Sequence, residues 1–128
     1  MRDFDGDKID DLLVVNETTN NMTYWAGVGD GTMRDGVTTD VGILPYSVAV
    51  ADFDGDGALD LAIVVGGEDQ LLVYPGNGDG TFADPLVFPV GIAPHFVIAA
   101  DFDGDGQIDL AVANSGSDTL SILYNNTY

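Results

Sequence analysis

An acidic nonamer recurs three times in this chain, as DFDGDKIDD at 3–11, DFDGDGALD at 52–60 and DFDGDGQID at 101–109, at a constant spacing of 49 residues. Its aspartates stand at loop positions 1, 3, 5 and 9, so four hard oxygen donors converge on one point if the intervening glycines let the backbone turn sharply. Such a set suits calcium, which takes about 6–8 oxygens from carboxylates, carbonyls and water. In the second copy the expected donors are Asp52, Asp54, Asp56 and Asp60 with the carbonyl of Ala58. In the third they are Asp101, Asp103, Asp105 and Asp109 with the carbonyl of Gln107, and in the first Asp3, Asp5, Asp7 and Asp11 with the carbonyl of Ile9. Gly57 and Gly106 hold position 6, where the calcium loop of an EF-hand also needs glycine. The likeness ends there, because position 12 is Val14, Ile63 or Val112 in place of a bidentate Glu, and each loop runs into a strand pattern.

Asp-Gly runs also favour turns on their own account. A turn does not explain four like charges within nine residues in three copies, which repel one another at neutral pH unless a cation joins them. The first copy differs: Lys8 replaces the position-6 glycine, which disfavours a left-handed backbone there, and Asp3 lies near the terminus, where fraying competes with binding.

Twelve of the 22 acidic residues occupy the expected ligand positions, and three divalent ions would bring the formal charge from −19 to −13. With Arg2, Lys8 and Arg34 as its only basic residues, the chain has nothing to neutralise phosphates, which excludes nucleic acid as a partner. A composition 45% hydrophobic, in short β-type runs, excludes a disordered acidic tail. There is no cysteine, so neither a disulfide framework nor thiol chemistry is expected. No run approaches the roughly 20 apolar residues of a membrane helix, so no membrane insertion is expected. Met1 leads directly into the first loop, so the expectation is no signal peptide, as in a mature segment or an excised piece. The sequons at Asn16, Asn21 and Asn125 matter only after eukaryotic secretion.

The elements that position these loops follow from the same period. A shift of 49 places Ala26–Met33 on Pro75–Phe82 and Val41–Pro45 on Val90–Pro94 without a gap. Each unit then reads as short apolar runs between turn clusters, the pattern of successive antiparallel strands. In the second unit these are Ser47–Ala51, the acidic loop, Leu61–Val65, Leu71–Tyr74, a Gly-rich hairpin and Leu86–Val90. The run after each loop (Leu12–Val15, Leu61–Val65, Leu110–Ala113) is apolar on both faces, which predicts an inner strand covered on both sides. A small sheet with two apolar faces must stack on copies of itself, and radial stacking of such sheets is the β-propeller.

The DxDxDGxxD loop, the downstream GNGDGTF and the PxxVAxADFDGDG junction resemble FG-GAP, or VCBS-type, repeats, found in the integrin alpha-subunit propeller and in bacterial and lectin relatives. Rival periodic folds fit less well: Gly66-Gly67 occurs in one unit only, against kelch, the lone Trp25 gives no WD40 pattern, and the GGxGxD repeat of a calcium β-roll is absent. The expected fold is all-β, with four-stranded antiparallel blades of 49 residues. One repeat domain spans 1–128: a unit at 3–51 lacking its first strand, a full unit at 52–100 and a partial unit at 101–128, about 2.6 blades. Propellers close with about four to eight blades. The expectation is therefore self-association into a ring or membership of a longer chain.

No nucleophile pattern is present, the one histidine is His95, and Ser115, Ser117 and Ser121 have no base nearby in the sequence, so no enzyme is expected. His95 aligns with Tyr46; the pair either covers the ends of strands or lines repeated pockets between blades. Trp25 and Tyr74 occupy matching positions, as core or as aromatic platforms for a sugar. The resemblance implies an extracellular or cell-surface module, with structural calcium, that binds protein or carbohydrate. The alternative is a propeller scaffold with no ligand of its own.

Overall fold

The computed structural model describes residues 2–126, among which there are ten strands and no helix. They are β1 (Leu12–Asn16), β2 (Asn21–Trp25), β3 (Val37–Asp40), β4 (Pro45–Ala51), β5 (Asp60–Val65), β6 (Gln70–Tyr74), β7 (Leu86–Pro89), β8 (Pro94–Ala100), β9 (Asp109–Asn114) and β10 (Thr119–Leu123). They form three antiparallel sheets in the orders β1-β2-β3, β4-β5-β6-β7 and β10-β9-β8. Strands of the second unit fall within two residues of the expected bounds. β4 starts earlier, at Pro45, where the missing N–H is tolerated at a strand's first residue and a register shift follows before Ser47. β5 starts at Asp60, so the last carboxylate of the acidic loop already belongs to a strand.

Each sheet carries a tight turn at the same place in the repeat. Asn20, Asp69 and Asp118 adopt φ near +55° (57°, 56° and 52°), a conformation that Asn and Asp tolerate better than other side chains. Two of these residues also join one sheet to the next. Asn20 Oδ1 accepts the N–H of Leu44 at 2.9 Å, and Asp69 Oδ1 accepts that of Ala93 at 2.7 Å, just ahead of β4 and β8.

Burial follows the two-residue period of β5. Leu61, Ile63 and Val65 point into a core shared with Phe4, Met22 and Val41 of the first unit. Ala62 and Val64 point the other way, into a core with Val97, Leu110 and Val112 of the third sheet. Every residue of β5 is buried, as expected for a strand covered on both sides. The same holds for most of β9, but β1 is an edge strand and its Val14 is exposed.

Candidate metal centres

Each acidic loop folds back on its first aspartate. Asp52 Oδ1 accepts the N–H groups of Gly55 and Asp56 at 2.8 and 3.2 Å, and its Oδ2 accepts Gly57 N–H at 2.9 Å. Asp101 receives Gly104 and Gly106 in the same way, and Asp3 receives Gly6 and Lys8. Position 6 is left-handed in all three copies: φ is 90° at Gly57, 90° at Gly106 and 70° at Lys8. The lysine therefore does not divert the loop. Its N–H reaches Asp3 Oδ2 at 2.8 Å, and the loop absorbs a left-handed cost of about 1–2 kcal/mol. The fraying expected at Asp3 is also opposed, because Arg2 pairs with Asp11 through two backbone hydrogen bonds, as Ala51 pairs with Asp60 and Ala100 with Asp109.

Three carboxylates per loop converge. Asp3, Asp5 and Asp11 bring one oxygen each to within 4.8 Å of one another, as do Asp52, Asp54 and Asp60, and Asp101, Asp103 and Asp109. Calcium–oxygen distances of roughly 2.3–2.6 Å place donors on opposite sides of the ion at most about 5 Å apart, so the donor sets fit. The fourth expected carboxylate stands outside each set. Asp7, Asp56 and Asp105 turn Oδ1 to the N–H two residues on, at Ile9, Ala58 and Gln107, each at 2.8 Å. Those three residues thus lie in the loops as expected, their N–H groups tied to the position-5 carboxylates.

The position-9 aspartate has a second role that its spacing did not reveal. Asp60 is 1% exposed, and both its oxygens are used: Oδ2 accepts Phe53 N–H at 2.8 Å and Oδ1 accepts Gly76 N–H at 2.7 Å. Asp11 does the same with Phe4 and Gly27, and Asp109 with Phe102 and Asn125. Each clamps its loop to the segment after the next strand, 16 residues away. Gly27, Gly76 and Asn125 are spaced by 49, so the period marked them, although nothing in the sequence tied them to the carboxylates. A side chain has no room at the first two, where a Cβ would lie 2.3 Å from Asp10 O and 2.0 Å from Leu59 O. In the first unit Tyr24 O–H also donates to Asp11 Oδ2, and burial followed by that hydrogen bond pushes its pKa far up.

Electrostatics separate the aspartates by position. Burial first, then the negative charge of Asp60 and Asp56, holds the Asp54 carboxyl above its ordinary value of 3.8. Asp5 is raised by burial and by Asp11 and Asp7, and Asp60 by burial against the pull of the Gly76 and Phe53 N–H groups. The Asp105 N–H pulls Asp103 down, but desolvation and the charges of Asp105 and Asp109 leave it raised. A cation removes this repulsion and restores the ionised form.

Other expected residues fall elsewhere. Tyr46 and His95 stack on one another with centroids 4.1 Å apart and planes 12° off parallel, joining the second and third sheets. Ser115 is a correction: it is 20 residues from His95 in sequence, yet its Oγ lies 2.7 Å from His95 Nδ1 and also donates to Ala93 O at 3.0 Å. Tyr74 is buried in the first core, while Trp25 is half-buried, with Gly36 against its ring. Asn16 Nδ2 donates to Asn21 Oδ1, and Asn125 Nδ2 donates to Phe53 O and Ile108 O, so two of the three sequons have their amide nitrogens in hydrogen bonds.

Two grooves run between neighbouring sheets. One of about 420 Å³ is walled by Phe53, Asp54, Asp60, Phe88 and Tyr124, and one of about 650 Å³ by Tyr24, Val41, Asp79, Thr81 and Phe82. The first reaches two carboxylates of the second cluster. No helix among the described residues is long and apolar enough to cross a membrane.

No curated protein and no solved structure matches this chain. The family pattern of the FG-GAP-like repeat matches residues 3–63 and 62–112, and with all three acidic loops and most of the strands inside those spans, the chain belongs to the FG-GAP-like repeat family.

Proposed function

We propose that the chain is a calcium-stabilised β-propeller repeat module, extracellular or at the cell surface, that presents grooves between its blades to a protein or carbohydrate ligand. The observation that carries this reading is the convergence of three carboxylates in each of three equivalent loops. Asp3, Asp5 and Asp11, Asp52, Asp54 and Asp60, and Asp101, Asp103 and Asp109 would hold the ions, with Asp7, Asp56, Asp105 and the carbonyls of Ile9, Ala58 and Gln107 available to complete the shells. Calcium supplies positive charge to a site that otherwise repels itself. The position-9 aspartate then links ion, loop and the segment after the next strand, so binding stiffens each unit. Extracellular modules hold calcium at roughly 10⁻⁴–10⁻³ M, and the stabilisation grows with free calcium above the dissociation constant.

In this reading residues 3–51, 52–100 and 101–128 are successive blade units, and the four-stranded sheet β4-β5-β6-β7 takes its first strand, Pro45–Ala51, from the end of the first unit. The grooves are of the size that takes small ligands, about 300–1,000 Å³. The absence of a nucleophile pattern in the sequence supports a binding module over an enzyme. Isothermal titration with calcium, followed by a glycan array with and without chelator, tests both parts. Failure to bind calcium refutes the metal reading; calcium binding with no glycan or protein capture favours the scaffold.

A further inference from the structure

The three sheets leave two apolar faces uncovered, one at each end of the stack. On the third sheet the outward residues are Phe96, Ile98, Ala111, Ala113, Leu120 and Ile122, which the strand registers place in adjacent rows. Phe96 is 58% exposed, Ile98 47%, Leu120 63% and Ile122 42%. On the first sheet the outward residues are Leu12, Val14, Asn16, Asn21, Thr23 and Trp25, paired in register as Leu12↔Trp25, Val14↔Thr23 and Asn16↔Asn21, with Thr38 and Asp40 of β3 beside Thr23 and Asn21. Asp40 is the one exposed charged side chain in these rows, in a protein with 22 acidic residues.

These two faces repeat an interface that the molecule already contains. The second sheet meets the third through Ala49, Ala62, Val64, Leu71 and Val73. One repeat length further on, those positions are Ile98, Ala111, Ala113, Leu120 and Ile122, the uncovered face of the third sheet. The surface that covers the second sheet includes Leu110, Val112 and Leu123, with Asn114 and Ser121 in the same rows. Two repeat lengths earlier these are Leu12, Val14, Trp25, Asn16 and Thr23, the uncovered face of the first sheet. The correspondence extends to hydrogen bonds. Asn114 Nδ2 donates to Thr119 Oγ1 and Ser121 Oγ, and Asn16 Nδ2 donates to Asn21 Oδ1 and Thr23 Oγ1, whereas the second sheet has Val65, Gln70 and Leu72 at those positions.

We infer that the outer face of the third sheet docks onto the outer face of the first sheet of a second copy of this chain, reproducing the contact between the second and third sheets. The inference rests on reading the sheets as stacking propeller units. Such a contact is heterologous, each copy offering one face of each kind, so copies add head-to-tail until a ring closes. Because the faces carry little charge and the remainder is strongly acidic, calcium and added salt both strengthen association by lowering repulsion.

Sedimentation equilibrium of the full chain in calcium, over a concentration series, tests this. A mass rising above the 13.4 kDa of one chain is expected, and a monomer throughout overturns the inference. Leu120→Glu blocks one face and Val14→Glu the other; both positions are exposed, and circular dichroism verifies folding. Each variant alone should associate at least about tenfold more weakly, because docking now buries an unpaired charge. Mixed in equal amounts they should form a heterodimer through the two intact faces. If Val14→Glu alone still dimerises, the contact joins like faces and the head-to-tail inference fails. If Leu120→Glu misfolds, Ile122→Glu, exposed on the same face, takes its place with the same expected result. The melting temperature with and without calcium separates the two readings: a calcium-stabilised monomer refutes the docking alone, and calcium-indifferent association refutes the metal reading alone.

Discussion

Asp54 and Asp60 line the same cluster, and replacing each with alanine distinguishes a residue that serves only the ion from one that also holds the fold. Asp60 is buried and accepts two backbone N–H groups, from Phe53 and Gly76. Each such bond to a carboxylate contributes about 1.5–3 kcal/mol. Asp60→Ala leaves both amides without that acceptor, while relief of the buried charge offsets part of the loss. The expected net cost is ~3 kcal/mol, roughly 10 °C in Tm for a chain of this size, in chelator as well as in calcium. Asp54 is exposed and accepts only the Asp56 N–H at 3.1 Å, while its neighbours Asp60 and Asp56 repel it. Asp54→Ala should therefore change Tm in chelator by no more than a surface substitution, about 0.5 kcal/mol, yet lose that site's share of the calcium stabilisation. Scanning calorimetry of both variants, with calcium and with chelator, gives the four values. Equal losses in chelator, or an Asp60→Ala protein as stable as the parent there, refute the argument that position 9 is a structural clamp.

Lys8→Gly should stabilise the protein in chelator by ~1 kcal/mol in urea unfolding, since glycine takes φ 70° without strain, and should strengthen the first calcium site by removing a positive charge. Gly76→Ala should cost about 2–4 kcal/mol because its Cβ meets Leu59 O at 2.0 Å, whereas Gly31→Ala, with nothing within 4 Å of its Cβ, should cost about 1 kcal/mol from its φ of 89° alone. The pH dependence of the metal-free protein follows from the sign of each shift. Asp5, Asp54 and Asp103 lie above 3.8, so their contribution is full below the unfolded value and is lost as pH rises through their folded values. Asp30 and Asp79, held below 3.8 by the hydroxyl and N–H of Thr32 and Thr81, act the other way, and their contribution is lost as pH falls through their folded values. Tm measured without metal should rise on acidification from neutrality toward pH about 4 and fall below it, and calcium should abolish the rise.

The repeat, the strands and the loops are legible in the residues alone, because they depend on neighbours a few residues apart. Glycine and aspartate spacing sets a turn, two-residue alternation sets a strand, and three copies at 49 residues exclude coincidence. Even the left-handed Lys8 was set by its register within the loop, where the N–H groups of Gly6 and Lys8 share one carboxylate, although the residue type alone argued against it. The tertiary structure decided what lies opposite each side chain. Asp60 looked like one ligand among four until the fold brought Gly76 N–H to its second oxygen. Ser115 had no base in reach until two strands placed His95 beside it, and Tyr46 and His95 were aligned counterparts until adjacent units stacked them. These partners are separated by 16 to 49 residues, beyond any local pattern, and they meet because each apolar sheet must cover the next.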